Sequence, residues 1–274
     1  MTVGIGAIAK NGGDPHVIVS ADRMVTYGQQ SGVEYEDTNS KIESIISNEG
    51  VNAVAVGSGS TTYIDEVIKN IRRTISDSDQ NIRSMNDVLN HSLSALKYTV
   101  QESISNQILA PFGYSLEDLR DSDTEIPAEI QKGIFEQTAN LREQIANEVH
   151  ISIAGVGVDG PGVYLLHGTD YTNFNDMGYG IIGSGSDSAL LTFIRRRYDR
   201  NCSVREGVFT VLEAKNQSEE RQGVGQQMDL VLLSSDQMDI LDNTEIMNLR
   251  EFLEDIGEAE KNARENVMND WEYI

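Results

Sequence analysis

The first 21 residues follow a pattern that predicts a β-hairpin at the very start of the chain. Apolar residues at every second position from Val3 to Ala9 fall on one face of an extended strand, because successive side chains of a strand point to opposite faces. The turn-forming segment 10–15 (Lys-Asn-Gly-Gly-Asp-Pro) and a second apolar run at 16–21 complete the hairpin. The fold is therefore expected to be built around a sheet that includes the first strand.

Blocks of strand-type and helix-type sequence alternate along the rest of the chain. Further strands are predicted at 41–46, 51–56, 151–158, 163–167, 178–182 and 228–234. Helical spacing predicts one helix after a Ser60 or Thr61 cap and a second from Met85 to about Leu109. Later in the chain, Ser203 and Glu206 form a predicted capping box for a helix that reaches about Ser218. This order predicts one α+β domain over 1–274, in which helices stack on two antiparallel sheets. The prediction includes a helical insertion at about 78–148 and a C-terminal helical tail at about 244–274.

The charge balance argues against several kinds of partner. The chain carries 44 acidic residues against 21 Lys and Arg, a net charge of −23, so binding to nucleic acid or to an anionic membrane is disfavoured. Only seven of the 21 cations are Lys, and such a surface suits a salt-rich cytoplasm; we hypothesise a halophilic source. No apolar run approaches the roughly 20 residues of a membrane helix, and no basic segment follows Met1, so a cytoplasmic location is expected.

The residue types that hold metals and cofactors are sparse. A single cysteine, Cys202, and four scattered histidines provide no disulfide framework and no metal-ligand spacing. A G-x-G-x-x-A pattern begins at Gly4, but a dinucleotide fingerprint must follow a strand and open a helix, and only three residues precede Gly4. The Gly-Ser-Gly-Ser run at 183–186 is either an anion-binding helix start or a tight turn with a serine cap. We expect no cofactor and no metal.

Thr2 is the residue that most specifically indicates a catalytic role. Initiator methionine is commonly removed before a small residue, which would leave Thr2 with a free α-amine. A threonine hydroxyl is a weak nucleophile, but an adjacent amine with an ordinary pKa of about 7.7 to 8.0 can accept its proton. Met-Thr also opens many chains by chance, so Thr2 taken alone does not decide the function.

Several segments, in their order, resemble the amino end of proteasome β-subunits, which belong to the N-terminal nucleophile (Ntn) hydrolases. The matching segments are 2–5 (TVGI), 17–26 (VIVSADRMVT), 41–45 (KIESI), 56–57 (VG), 155–159 (GVGVD), 182–186 (IGSGS) and 228–232 (MDLVL). The resemblance spans about residues 2–77 and 150–240. It is the order of the segments, rather than any single one, that is specific.

The resemblance implies a four-layer αββα sandwich and a threonine-type peptidase or amide hydrolase that works through an acyl-enzyme intermediate. By the same resemblance Thr2 is the nucleophile and, through its amine, the general base. Lys41 lies beside the Thr2 hydroxyl, and Asp22 pairs with Lys41. The backbone N–H of Gly57 serves as an oxyanion donor, and Ser184 contacts the terminal amine. The implied substrate is a peptide or unfolded protein, and the implied assembly is a homo-oligomeric ring.

The sequence leaves alternatives open at each of these points. Counting back from the hairpin turn puts Thr2 at the nucleophile position, whereas matching the letters Thr-Val-Gly-Ile puts it two residues inside; we prefer the turn count. The family carries an Asp and a Ser before the late strand, and here Ser218, Glu219 and Glu220 are the candidates.

Each site residue also has a plain structural interpretation. Asp22 suits a surface turn, Lys41 a strand edge, Gly57 a turn and Ser184 a helix cap. The competing functions are accordingly a catalytically inactive scaffold or binding subunit and a transpeptidase or specialised amidase of the same fold.

Overall fold

The computed structural model describes residues 2–27, 33–36, 39–78, 81–121, 125–221 and 223–269. The strands, in chain order, are β1 (Val3–Asn11), β2 (Asp14–Asp22), β3 (Met24–Tyr27), β4 (Val33–Glu36), β5 (Ile42–Asn48), β6 (Val51–Gly59), β7 (Val149–Gly157), β8 (Gly160–His167), β9 (Asp170–Asn173), β10 (Tyr179–Gly183), β11 (Met228–Leu233) and β12 (Met238–Ile240). The α-helices are α1 (Thr61–Ser76), α2 (Met85–Ile104), α3 (Ala128–Glu148), α4 (Ser186–Arg196), α5 (Val204–Ser218) and α6 (Asn243–Asn269).

Two five-stranded antiparallel sheets form the centre of the described structure. The first has the order β10-β1-β2-β11-β12, and the second has the order β5-β6-β7-β8-β9. The predicted opening hairpin is present, with Gly4 opposite Ala21, and this register brings the start of β1 beside the end of β2. The chain is therefore of the mixed α and β class that the sequence predicts.

Three clusters of buried apolar side chains connect these layers. One lies between α1, α2, α3 and the second sheet, and includes Ile68, Leu96 and Ile153. Another lies between α4, α5, α6 and the first sheet, with Phe193 among its largest members. The third includes residues of both sheets, such as Val19 and Val156, so the two sheets pack on each other.

The glycines of β1 allow this close packing of the sheets. A Cβ at Gly4 would lie 2.8 Å from Cγ1 of Val56, and one at Gly6 would lie 3.3 Å from Cγ1 of Val163. Both glycines lie inside β1 and not at a strand-to-helix turn. Sheet packing, rather than nucleotide binding, therefore explains the G-x-G spacing.

The structure differs from the local predictions at several elements, and β9 and β12 have no predicted counterpart. Segment 27–40, which carries no predicted element, contributes to a small separate hairpin of β3 and β4; residues 28–32 and 37–38 lie outside the described residues. The second predicted helix was expected to run to about Leu109, but α2 ends at Ile104 and a π-helical turn covers Ser105–Leu109. Pro111 explains the change, because it has no N–H to donate four residues back.

The structure confirms the predicted N-cap of α5 but not that of α1. At α5 the Ser203 hydroxyl accepts a hydrogen bond from the Glu206 N–H at 3.2 Å, as the predicted capping box requires. At α1 the Ser60 side chain makes no capping hydrogen bond. The helical tail begins at Asn243 and is described to Asn269; its predicted last residues, 270–274, lie outside the described part of the chain.

Candidate active site

The topology brings Thr2, Asp22 and Lys41 to one place. Thr2 precedes β1, and the hairpin register brings the start of β1 beside the end of β2, where Asp22 lies. Lys41 directly precedes β5 in the second sheet. The three residues therefore meet at the end of the first sheet where β1 begins and β2 ends, beside the start of β5 in the second sheet.

The Lys41 ammonium bonds to both other members of this group. Its Nζ donates to Oγ1 of Thr2 at 2.5 Å and to Oδ1 of Asp22 at 3.2 Å. It also donates to the carbonyl oxygen of Met24. An ammonium has three N–H bonds, so these acceptors fix its position, and one N–H points at the threonine hydroxyl.

Asp22 is fully buried, and both of its oxygens are satisfied. Besides Lys41, Oδ1 accepts from the N–H of Val3 at 2.9 Å. The other oxygen, Oδ2, accepts from the N–H groups of Met24 and Gly225, each at 3.1 Å. A buried carboxylate is stable only with such partners, so this network holds the Asp22 side chain in place behind Lys41.

The backbone around Thr2 is held from the other side by the loop between β10 and α4. The Gly185 N–H lies 3.4 Å from the Thr2 carbonyl oxygen, and the Ser184 hydroxyl donates to the same oxygen at 3.5 Å. A Cβ at Gly183, whose φ is +93°, would lie only 2.0 Å from that oxygen. The Ser184 hydroxyl therefore lies beside Thr2, and the contact with the terminal amine that the resemblance implies stays a prediction.

Thr2 lines one cavity, and a second cavity adjoins it. The first, of about 440 Å³, is lined by Thr2, Lys41 and Gly57 together with apolar side chains of β3 and α1. The second, of about 720 Å³, is lined by Ser58, His150, Ser184 and their neighbours. Gly59 and Thr61 line both cavities, so the two adjoin. Each falls within the roughly 300 to 1,000 Å³ typical of ligand sites.

Gly57 and Ser184 line different cavities: Gly57 lines the one that contains Thr2, and Ser184 lines the adjoining one. Gly57 belongs to β6 and lines the first cavity, and a Cβ there would lie 2.2 Å from Cγ2 of Ile64. The contact with α1 therefore also requires a glycine, alongside the oxyanion role that the resemblance implies.

The residues considered as replacements for the family's late Asp and Ser have other contacts. The Ser218 hydroxyl donates to the carbonyl oxygens of Gly185 and Ala214, so it supports the loop below Thr2. Glu219 pairs with Lys215 and Arg250, and Glu220 is exposed.

Sequence reasoning missed two residues of this region, Gly225 and Lys215. Gly225 donates to Asp22 from a loop that carries no recognised pattern. Lys215 did leave a signal, because it occupies the next position of the apolar stripe formed by Val208, Val211 and Leu212 on α5. A charge in such a stripe indicates a buried ion pair.

His150 makes the second cavity sensitive to pH. Burial, and to a smaller extent the neighbouring His167, lower the pKa of His150 below its ordinary value. The unfolded chain then binds this proton more readily than the folded one, so the contribution of His150 to stability is present above about pH 6.5 and is lost as the pH falls through the lowered pKa.

We expect His150→Gln to flatten the fall of Tm between about pH 7 and pH 5, measured by thermal unfolding in a pH series. His91→Gln, on α2 and outside both cavities, is the control that removes the same side-chain type. A slope in His150→Gln equal to that of the wild type contradicts the prediction.

The described residues contain no cluster of His, Cys, Asp and Glu that could hold a metal ion. Among their helices, none combines the length and the apolar character needed to cross a bilayer.

Comparison with solved structures assigns the fold to the proteasome-like class. The similar structures include Anbu proteins. The Anbu Gly-1 mutant from Hyphomicrobium sp. strain MC1 has a TM-score of 0.64 at 12% identity, over 100% of this chain and 99% of that chain. Anbu from Yersinia bercovieri, described as an ancestral β-subunit, has a TM-score of 0.63 at 12% identity, over 95% of each chain.

A third structure, the helical assembly of the Anbu complex from Pseudomonas aeruginosa, has a TM-score of 0.63 at 10% identity, over 95% of this chain and 96% of that chain. At such low identities the likeness establishes the fold, and it confirms the proteasome-like resemblance. No protein-family model and no curated protein matches the chain.

Proposed function

We propose that this chain is an N-terminal threonine hydrolase of the Ntn type, with a four-layer αββα sandwich, that cleaves amide bonds in peptides or unfolded proteins. The observation that carries the proposal is the 2.5 Å hydrogen bond from Lys41 Nζ to Thr2 Oγ1 at the wall of a cavity, with buried Asp22 behind Lys41. A cation that donates to a hydroxyl oxygen stabilises the developing alkoxide.

The proposed reaction needs Thr2 to be the first residue of the mature chain. Its α-amine accepts the hydroxyl proton while Oγ1 forms a bond to the substrate carbonyl carbon. The Gly57 N–H and Lys41 stabilise the negative charge of the tetrahedral intermediate. The C–N bond then breaks, and the amine passes its proton to the leaving nitrogen. Water hydrolyses the resulting ester and releases the acid.

The cavity lined by Thr2 and the cavity that adjoins it give space for a substrate beside the nucleophile. An extended peptide that crosses Thr2 would place its acyl part in one cavity and its leaving part in the other. The active centre needs no metal or cofactor in this scheme, because the amine, Lys41 and Asp22 supply the proton acceptor and the charge.

Copies of the chain are also proposed to assemble. The Pseudomonas aeruginosa structure is described as a helical assembly of the Anbu complex, and the resemblance to proteasome subunits implies a ring. Electron microscopy of the purified protein distinguishes a closed ring from an open helix. A monodisperse monomer in solution contradicts this part of the proposal.

Intact-mass spectrometry of the purified protein tests the hydrolase directly. The protein is measured before and after treatment with a peptide epoxyketone, a reagent that requires both the hydroxyl and the free amine of an N-terminal threonine. We expect a chain that lacks Met1 and gains one adduct, located at Thr2 by peptide mapping. Retained Met1 without an adduct supports the inactive scaffold instead.

A second measurement separates hydrolysis from transfer. A model peptide is incubated with the enzyme with and without an added amine, and the products are identified by mass. Free acid in both reactions supports the hydrolase, and a predominant new amide supports the transpeptidase.

A further inference from the structure

Lys215 is a second buried ammonium that the proposed reaction does not use. It lies on α5 with a side chain that is 0% exposed, among the apolar residues that face the first sheet. Burial lowers the pKa of Lys215 below its usual value, and the nearby Glu219 carboxylate opposes that effect. A buried lysine costs stability unless its ammonium group is hydrogen-bonded and paired with an opposite charge. The contacts of Lys215 therefore need an explanation.

The contacts of Lys215 lead to the loop between α5 and β11. Its Nζ donates to Oε1 of Glu219, one helical turn later, at 2.6 Å. It also donates to the carbonyl oxygen of Gly225 at 2.7 Å. From the same residue, the Gly225 N–H donates to Oδ2 of Asp22. A single glycine thus connects the buried Lys215 to the carboxylate behind Lys41.

Charged side chains from other elements hold the same loop. Arg250 of α6 donates to the carbonyl oxygen of Gln226 at 2.6 Å and to Oε1 of Glu219 at 2.8 Å. The N–H of Gln227 donates to Oε1 of Glu36 at 2.9 Å. Side chains from α5, α6, β2 and β4 therefore hold three consecutive loop residues. A loop that only joined α5 to β11 would not need its backbone fixed from four elements.

Gly225 is packed closely in this position. A Cβ there would lie 2.9 Å from Oε1 of Glu36 and 3.2 Å from the backbone nitrogen of Met24. Met24 is the other residue whose N–H donates to Oδ2 of Asp22. The two N–H donors of that oxygen are therefore placed together, and the position of Gly225 decides whether both reach it.

We propose that Lys215 is a positioning residue for the candidate active site: it holds Gly225 so that the Gly225 N–H stays on Asp22, which in turn orients Lys41 toward Thr2. The charged groups that face Lys215 are Glu219 on its own helix, Arg250 on α6 and Asp22 on β2. The inference rests on the proposed function, but the hydrogen-bonded link from Lys215 through Gly225 to Asp22 can be measured separately from catalysis.

The test compares Lys215→Met with Arg196→Met. Methionine keeps most of the length of lysine but cannot donate to Gly225. Arg196 of α4 is the control, because it forms ion pairs with Glu213 of α5 and Glu260 of α6 in the same helical layer. Its hydrogen bonds do not involve the 223–227 loop. Both variants are expected to lose stability, so loss of stability alone does not distinguish them.

Amide hydrogen exchange, read residue by residue by NMR, provides the distinguishing signature. In Lys215→Met we expect the Gly225 and Met24 amides to exchange on the order of tenfold faster relative to β6 amides, because a charge-assisted hydrogen bond that holds the loop is lost. In Arg196→Met that ratio stays at the wild-type value. Equal ratios in the two variants overturn the inference.

A double variant, Lys215→Met with Glu219→Gln, separates the charge balance from the position of the loop. Removing both charges is expected to recover part of the lost Tm, since replacing a buried ion pair by neutral groups is often tolerated. Gly225 still lacks its donor, so its fast exchange persists. Recovery of slow Gly225 exchange in the double variant contradicts a positioning role.

The rate of epoxyketone adduct formation at Thr2 completes the test. We expect it to fall on the order of tenfold in Lys215→Met and in the double variant, but not in Arg196→Met. If the wild type forms no adduct but the Gly225 amide exchanges faster in Lys215→Met and not in Arg196→Met, the proposed hydrolase fails and the positioning contact stands. If adduct formation is normal in a variant with released Gly225, the positioning role fails and the hydrolase stands.

Discussion

Replacing Thr2 with alanine is expected to reduce epoxyketone adduct formation and peptide cleavage by about 10³-fold or more, because the change removes the only atom assigned the nucleophilic role. Alanine is also a small residue, so removal of Met1 is expected to continue. The folded structure should persist, since Lys41 keeps Asp22 and the Met24 carbonyl as acceptors. The free energy of unfolding should therefore change by only about 1 kcal/mol.

Thr2→Ser is the matched variant for this experiment. Serine keeps the hydroxyl that accepts from Lys41 and loses only a methyl group, so adduct formation should remain measurable and greatly exceed that of Thr2→Ala. Adduct that persists in Thr2→Ala would instead place the nucleophile at another hydroxyl, and Ser58 and Ser184 line the adjoining cavity. Peptide mapping of the adduct decides between these outcomes.

Asp22→Asn is expected to have the largest combined effect on stability and reactivity. Each oxygen of Asp22 accepts two hydrogen bonds. In asparagine one of these oxygens becomes an NH₂ group, which is itself a donor and cannot accept from the two donors that point at it. The change also leaves the Lys41 ammonium without its buried counter-charge. Breaking one partner of a buried pair costs about 3 to 5 kcal/mol, which denaturant unfolding measures as a lower midpoint.

The same variant should also lose adduct formation at Thr2 at temperatures where it remains folded, because Lys41 loses the group that orients it. A fall of about 10² to 10⁴-fold is typical when proton transfer is no longer assisted. The control is Asp159→Asn. Asp159 accepts from the N–H groups of Met85 and Asn86 at the start of α2, so its loss should cost about 1 kcal/mol without changing Thr2. Equal reactivity of the two variants would remove Asp22 from the mechanism.

Local patterns in the sequence predicted the parts of the fold whose causes are local. The opening hairpin follows from alternation over a few residues and a Gly-Gly turn, and the start of α5 follows from the spacing of Ser203 and Glu206. The β3–β4 hairpin was missed because part of its polar sequence lacks that alternation. The π-helical end of α2 was missed because an apolar helical spacing does not reveal how a chain adjusts before Pro111.

The candidate site could be predicted from the sequence only in part. Thr2, Asp22 and Lys41 were singled out by a resemblance in the order of short segments, and the structure brings these positions together. The partners that hold them were not accessible in this way. Gly225 has no distinguishing pattern, and the buried lysine on α5 became meaningful only when its two acceptors were known.

By itself the sequence determined most of the strands and helices, their buried faces, and that a threonine stands directly before the first strand. These properties depend on side-chain periodicity within windows of about ten residues. Only the tertiary structure decided that residues 2, 22, 41 and 225 meet and that the Ser184 hydroxyl lies beside the carbonyl oxygen of Thr2. Such contacts join positions up to 203 residues apart, and they depend on how two sheets and their loops pack, which no local pattern encodes.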